Sequence, residues 1–165
     1  MPPGIWLLGV LGSVPRDRSF IRWQAEPGLL ISVPTGSRWD TISLPAAIGL
    51  PLLAAALAGP CAHRLGPVLH DAATDLTYWL ISPDPEQPWL GHHPLANLLP
   101  AGERLKVPNP APDPDYIDEP TIPGPAVVRW AYWPPVTGTL TSGRWLGHTL
   151  LDPGTPVSAS HPSED

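Results

Sequence analysis

Proline interrupts this chain so often that only a few stretches are long enough to form a helix or a strand. The sequence has 26 prolines among 165 residues. Because proline lacks an amide proton and has a fixed φ angle, it ends most helices and is excluded from central strands. The chain is nevertheless 42% hydrophobic and only 15% charged, whereas disordered chains combine low hydrophobicity with high charge. We therefore expect one compact domain with proline-rich loops.

Patterns in the first half of the chain predict a β-hairpin followed by a helix. An apolar run at 29–33 and a turn signal at 34–37 precede a second strand at 39–44. A short turn at 45–49 then leads into a largely buried helix at 51–58, with Pro51 in its first turn. Alternation along the second strand places two sets of side chains on opposite faces, namely Trp39, Thr41 and Ser43 against Asp40, Ile42 and Leu44.

The remaining elements predict an α+β fold with a mainly antiparallel or mixed sheet and few helices. Strands are expected at 65–69, 76–81, 104–107 and 126–133, and a helix at 141–151 capped by Thr141 or Ser142. The expected division of the chain is an N-terminal arm at 1–27 that packs through Trp6 and Trp23, a single domain at 28–151 and a disordered tail at 152–165.

The distribution of charge argues against a general nucleic-acid binder, which needs clustered Lys and Arg. The net charge is −6. Residues 1–70 carry five basic and three acidic side chains, whereas residues 71–165 carry four basic and twelve acidic ones. Any contact with nucleic acid is therefore expected to be local and confined to the basic residues of the N-terminal half, which are Arg16, Arg18, Arg22, Arg38 and Arg64.

The cysteine count and the apolar segments predict a cytoplasmic protein without a membrane segment. Cys61 is the only cysteine, so no disulfide can form within the chain, as is usual in a reducing compartment. The apolar stretch at 4–14 has no Lys or Arg before it, unlike a secretory signal. The stretch at 42–58 is too short to span a bilayer and contains two prolines.

Candidate carboxylates for a two-metal centre are scattered. Such a centre needs two or three carboxylates held close together on rigid elements. Asp40 stands alone on its strand, Asp71 and Asp75 flank a turn where Asp commonly caps the backbone, and Asp113 and Asp115 lie in a loop rich in proline. We expect no catalytic residues and no metal site from these groups.

Histidine and cysteine offer two further candidates. Adjacent side chains on an extended segment point to opposite sides, so His92 and His93 are interpreted as residues of a surface loop and not as ligands of one metal ion. Cys61 and His63 have the spacing of a nucleophile and a base, but no third group is evident to orient them. A small cysteine that is buried or half-buried is the preferred interpretation.

The turn at 34–38 is the candidate ligand-binding element. Neither of the usual glycine-rich phosphate loops is present in the sequence. The turn could offer backbone amides and one guanidinium to an anion, which makes Thr35, Gly36, Arg38 and Asp40 the candidate ligand-binding residues. The alternative is a hairpin turn with no ligand.

Aromatic residues near the end of the chain have two interpretations. Trp130, Tyr132 and Trp133 beside Arg129 could stack on bases. Alternatively, Trp130 and Tyr132 alternate so as to share one face of a strand packed on the core. The alternation favours core packing.

Several phrases in a fixed order resemble a known family. They are Val-Pro-Thr-Gly-Ser-Arg-Trp-Asp at 33–40, Leu-Gly-Pro-Val-Leu at 65–69, Tyr-Trp-Leu-Ile at 78–81, Arg-Leu-Lys-Val-Pro-Asn-Pro at 104–110 and Val-Arg-Trp-Ala-Tyr-Trp-Pro-Pro at 128–135. Their order resembles short relatives of the N-terminal domain of bifunctional DNA primase/polymerases (the prim-pol, or archaeo-eukaryotic primase, group) from high-GC bacteria. The resemblance covers about residues 28–150 and implies a prim-pol-like fold.

The resemblance also implies which catalytic groups are missing. Active members of that family carry Asp-x-Asp on a strand and a His just before an aromatic strand. Here the first strand, Leu29–Val33, contains no acid, and Leu76-Thr77 precedes Tyr78-Trp79. The resemblance therefore implies a catalytically silent member, because Asp40 alone cannot organise two metal ions.

Three hypotheses about function follow. The first is a non-catalytic prim-pol-like domain with weak nucleotide or single-stranded nucleic-acid contact near Thr35–Arg38, without a cofactor. The second is a protein-interaction module that uses a Trp-rich and Pro-rich surface and has no nucleic-acid role. The third is an active nucleotidyltransferase, and only this hypothesis requires Mg²⁺ or Mn²⁺.

Overall fold

A computed structural model describes residues 1–83, 93–110 and 127–151. Its helices are α1 (Pro3–Leu8), α2 (Ser13–Ala25), α3 (Ala46–Ala58) and α4 (Gly143–Leu151), with short 3-10 helices at Gly9–Leu11 and Ala62–Arg64. Its strands are β1 (Ile31–Pro34), β2 (Asp40–Pro45), β3 (Val68–Asp71), β4 (Leu76–Ile81), β5 (Asn97–Leu98), β6 (Arg104–Val107) and β7 (Val128–Tyr132). The predicted α+β class is confirmed.

The strands form two antiparallel sheets. The larger sheet has the order β5-β2-β4-β3-β7, and the smaller one is a ribbon made of β1 and β6. The strands β1, β2, β4, β6 and β7 lie close to where the sequence predicts them. β3 begins three residues later than the predicted run at 65–69 and continues to Asp71, and β5 has only two residues and was not predicted. The predicted helix cap is confirmed at Ser142, whose hydroxyl accepts a hydrogen bond from the Trp145 amide at 3.3 Å.

Apolar side chains cover both faces of the larger sheet. One face packs with α3 and α4, and its buried residues are Ile42, Leu44, Leu53, Leu65, Val68, Trp79, Ile81, Ala96 and Leu146. The other face packs with α1, α2 and the ribbon, and its buried residues are Leu7, Leu8, Trp23, Ile31, Val33, Trp39, Leu69, Leu80, Leu105 and Val107. The predicted alternation of Trp39 against Ile42 and Leu44 is therefore confirmed.

The predicted hairpin between β1 and β2 is wrong. β1 pairs with β6, whereas β2 pairs with β4 and β5. The reason lies in burial, because β2 is buried on both faces from Thr41 to Leu44, as a central strand must be. β1 alternates between buried and half-buried residues, which suits a ribbon with one solvent-facing side. Residues 35–39, called the crossover loop below, carry the chain from the ribbon to the larger sheet.

Helix α3 differs from its prediction in continuity and in burial. It runs unbroken from Ala46 to Ala58 with Pro51 inside it, although a turn and a separate helix were expected. Proline at this position removes the bond to the carbonyl of Ala47, and both residues are exposed, so water can satisfy that carbonyl. The helix is also less buried than expected, because only Ala46, Gly49 and Leu53 are fully buried.

A β-bulge in β7 changes the faces of its aromatic residues. Val68 and Leu69 of β3 pair with Tyr132 and Trp130, so one extra residue, Ala131, interrupts the register. As a result Trp130 packs on the face covered by α1 and α2, whereas Tyr132 packs on the face of α3. Core packing of these residues is confirmed, but the prediction that they share one face is wrong, because the bulge breaks the alternation.

The N-terminal arm packs onto the sheet through helices that the sequence did not predict. Leu7 and Leu8 are fully buried, and Trp23 is 1% exposed. The Trp23 indole donates a hydrogen bond to the carbonyl of Leu29 at 2.8 Å. Packing through Trp23 is therefore confirmed. In the described part of the chain no helix is long and apolar enough to cross a membrane.

Gly66 provides a test of the packing between β3 and the segment before α4. A Cβ at this position would lie 2.6 Å from the Thr141 amide nitrogen and 2.8 Å from the Leu80 carbonyl oxygen. These are backbone atoms that cannot move aside cheaply, so Gly66→Ala is expected to lower the free energy of unfolding by about 2 kcal/mol. Urea denaturation measures the change.

The matched control is Gly28→Ala, because a Cβ at Gly28 meets no atom within 4 Å. Its free energy of unfolding should stay within about 0.5 kcal/mol of the wild-type value. Equal stabilities for the two variants would contradict the packing described at Gly66.

Candidate anion-binding site

The crossover loop brings the four predicted ligand-binding residues to one end of the larger sheet. Thr35, Gly36 and Arg38 lie in the loop, and Asp40 is the first residue of β2. Asp40 pairs with Ile81, the last residue of β4. The loop therefore lies where β2 begins and β4 ends.

Backbone hydrogen bonds fix the loop. The Thr35 amide donates to the Glu103 carbonyl at 2.9 Å, and the Gly102 amide donates to the Thr35 carbonyl at 2.9 Å. The Gly36 amide donates to the Trp39 carbonyl at 2.8 Å. Gly36 has a φ of 85°, and a Cβ there would lie 2.5 Å from the Ala101 Cα. Both the left-handed backbone and the close approach require glycine.

Thr35 supports the loop from inside. Its side chain is 2% exposed, and that of Thr41 is fully buried. The two hydroxyls are 2.7 Å apart and share a hydrogen bond. The Thr35 hydroxyl and the Thr35 and Gly36 amides are therefore already used within the protein, so the expected offer of these two amides to an anion is wrong. The exposed side chains of the loop are those of Ser37 and Arg38.

Arg38 is the exposed cation of the loop. Within the described ranges its guanidinium takes part in no hydrogen bond or ion pair. The guanidinium lies over Gly9, because a Cβ on Gly9 would be 2.7 Å from Nη1 of Arg38. A guanidinium offers five donors in a planar fork that fits a phosphate or carboxylate. Arg38 therefore has the chemistry and the accessibility to bind an anion.

Tryptophans behind the loop hold it against the N-terminal arm. The tryptophan cluster consists of Trp6, Trp39, Trp130 and Trp133. The ring centroids of Trp6 and Trp39 are 5.2 Å apart, and those of Trp6 and Trp133 are 6.0 Å apart. Trp130 and Trp133 meet edge to face at 4.7 Å. Trp39 is 1% exposed, so the residue after Arg38 is anchored in the core.

The candidate carboxylates do not converge. Asp40 lies opposite Ile81, whereas Asp71 lies opposite Leu76 at the other end of β4. Five residues of strand span about 17 Å. Asp71 accepts a hydrogen bond from the Ala73 amide at 2.9 Å, and Asp75 has a left-handed φ of 55°. Both acids thus shape the turn between β3 and β4, while Asp113 and Asp115 lie outside the described residues.

The two described histidine candidates form hydrogen bonds with residues close to them in the sequence. Nε2 of His63 accepts a hydrogen bond from Arg64 at 3.3 Å, and Nδ1 of His93 accepts one from the Leu95 amide at 3.3 Å. Cys61 is half-buried, and His92 lies outside the described residues. Among the residues that the structure describes, no three His, Cys, Asp or Glu side chains form a group suited to a metal ion.

The contact between Gly9 and the Arg38 guanidinium could not be predicted from the sequence. The helix α1 was not predicted, and 29 positions separate Gly9 from Arg38, so no local pattern connects them.

The chain was compared with protein families, curated proteins and solved structures, and none of the three comparisons gave a match.

The buried hydroxyl pair under the loop provides a second test. Thr35→Val or Thr41→Val alone leaves one buried hydroxyl without its partner, which is expected to cost about 1–3 kcal/mol in the free energy of unfolding. The double variant leaves neither hydroxyl, so its cost should be well below the sum of the two single costs. Urea denaturation of all four proteins measures this, and additive costs would contradict the hydrogen bond.

Proposed function

We propose that this protein is a prim-pol-like domain without nucleotidyl-transfer activity that binds the phosphates of a nucleotide or single-stranded nucleic acid at the crossover loop. The observation that carries the proposal is Arg38. Its guanidinium is exposed, has no ionic partner in the described part of the chain and belongs to a loop fixed by backbone hydrogen bonds. In this proposal Arg38 contacts the phosphates, and Thr35 and Gly36 fix the loop that carries it. Of the four candidate residues, Asp40 is an acid and would not contact a phosphate directly.

The charge of the described residues supports an anionic ligand. The described residues contain all nine Lys and Arg of the chain but only six of its fifteen Asp and Glu. The described surface is therefore cationic overall, although the whole chain carries a net charge of −6. Attraction of this kind favours phosphate-containing ligands.

The order of the resembling phrases in the sequence supports the prim-pol part of the proposal. Val33–Asp40 forms the end of β1, the crossover loop and the start of β2. The other four phrases contain or lead into β3, β4, β6 and β7. The resemblance thus falls on the sheets and their connection.

The positions of the carboxylates support the non-catalytic part. Two-metal nucleotidyl transfer needs carboxylates that share divalent ions a few ångströms apart. Asp40 and the pair of Asp71 and Asp75 are at opposite ends of β4, so these three described acids cannot form such a centre together. Mg²⁺ or Mn²⁺ would be needed only for an active enzyme.

Binding is tested by titrating ATP and a labelled oligothymidylate at low salt. Arg38→Ala is expected to weaken binding about tenfold, because a charge-assisted contact is lost. Binding of the oligonucleotide should fall with salt at a log–log slope of about −0.7 for each phosphate contacted. Arg129→Ala is the matched control, because Arg129 is also exposed but lies opposite His70, away from the loop. If neither ATP nor the oligothymidylate binds, the proposal is overturned.

Catalysis is tested with a primed template, deoxynucleotides and Mg²⁺ or Mn²⁺. We expect no template-dependent extension by the wild-type protein. Extension that Asp40→Asn abolishes would show an active nucleotidyltransferase and contradict the silent assignment. Arg129→Ala, purified in the same way, is the control variant, and any extension by the wild-type protein should persist in it.

A protein-interaction module is the second candidate, and helix α3 is the observation that favours it. The outward side of α3 is apolar and exposed at Ala47, Pro51, Ala54, Ala55, Leu57 and Ala58. The expected Trp-rich surface is not present in the described part, because its seven tryptophans are all buried or half-buried. The ATP and oligothymidylate titrations separate the two candidates, because a protein-interaction module is not expected to bind either ligand through Arg38.

A further inference from the structure

We infer that Gly9 is a positioning residue for Arg38, so that the N-terminal arm is part of the anion site. This inference rests on the proposed function, since it concerns the same guanidinium. It assigns the arm a role in ligand affinity in addition to its role in the core.

The contact involves the whole end of the arginine side chain. A Cβ built on Gly9 would lie 2.7 Å from Nη1, 3.1 Å from Cζ and 3.5 Å from Nη2 of Arg38. These three atoms make up most of the guanidinium plane. The absence of a side chain at position 9 is therefore what allows the guanidinium to occupy this place.

Backbone geometry does not explain the glycine. Gly9 has φ −59° and ψ −13° at the end of α1, which is an ordinary right-handed helical conformation that any residue adopts. Gly36, by contrast, has a φ of 85°. The contact with Arg38 is the described feature that a side chain at position 9 would change.

The arm holds Gly9 firmly. The Gly9 amide donates to the Trp6 carbonyl, and Trp6 stacks on Trp39 with ring centroids 5.2 Å apart. Leu7 and Leu8, which come directly before Gly9, are fully buried. Because Trp39 follows Arg38 in the chain, the same segment of the arm contacts both the backbone anchor and the charged end of the loop.

A fixed surface beside the guanidinium should raise affinity by preorganisation. A long side chain loses rotamer freedom when it binds, and restricting it beforehand reduces that cost. A methyl group at position 9 would move the guanidinium without moving the backbone, because the atoms it meets are at the flexible end of Arg38. Gly9→Ala should therefore leave the fold intact and weaken anion binding.

The experiment measures ATP affinity of the full chain for Gly9→Ala, Arg38→Ala, the double variant and Gly28→Ala. Gly9→Ala is expected to weaken binding about threefold to tenfold, which corresponds to one impaired charge-assisted contact. The same change in the Arg38→Ala background should have no further effect. Gly28→Ala adds a methyl group in open space and should bind as the wild type does.

The outcomes separate this inference from the proposed function. Wild-type affinity in Gly9→Ala together with weak binding by Arg38→Ala would overturn the role of Gly9 and leave the proposed function standing. An equal loss from Gly9→Ala in both backgrounds would also overturn it, because Gly9 would then act without Arg38. If the wild-type protein bound neither ATP nor oligothymidylate, the proposed function itself would be overturned.

Thermal denaturation supplies a second readout that needs no ligand. Gly9→Ala is expected to keep a melting temperature close to the wild-type value, because the methyl group meets only the flexible end of Arg38. A decrease that Arg38→Ala in the same chain does not restore would overturn the inference, because the methyl group would then act on atoms other than those of Arg38.

Discussion

The rest of the structure depends on the packing of Trp6 against Trp39 and Trp133. These contacts, at 5.2 Å and 6.0 Å between ring centroids, join the N-terminal arm, the crossover loop and the end of β7. The larger sheet is apolar on both faces, and each face needs a cover. Helices α3 and α4 cover one face. The other face depends on the arm and the ribbon, so the position of Arg38 follows from how the arm packs.

The β-bulge at Ala131 is part of the same arrangement. Without it, Trp130 and Tyr132 would share a face and Trp133 would point to the opposite one. With it, Trp130 and Trp133 both reach the arm side of the sheet and meet edge to face at 4.7 Å. One extra residue therefore adds Trp133 to the tryptophan cluster. Bulges occur often near functional sites because they redirect side chains in this way.

The sequence was sufficient to predict the α+β class and the order of most elements, because apolar runs between prolines mark those elements. It could not assign β1 to a sheet. The turn signal at 34–37 fits a hairpin equally well, whereas the partner of β1 is some 70 positions away, as the hydrogen bond from Arg104 to Ser32 illustrates. The continuity of α3 through Pro51 could not be predicted either. The free-energy cost of a proline inside a helix depends on whether water reaches the carbonyl that loses its hydrogen bond, and only the packed structure shows that Ala47 is exposed.

The candidate site shows the same limit more sharply. Gly9 and Gly36 are indistinguishable in sequence, yet Gly9 lies against a guanidinium and Gly36 has a left-handed backbone. Net charge has a similar limit, because a whole-chain value of −6 does not say where the charges lie. A ligand responds to the charges near it within about 10 Å at ordinary ionic strength. The surroundings of Arg38 therefore matter more for anion binding than the charge of the whole chain.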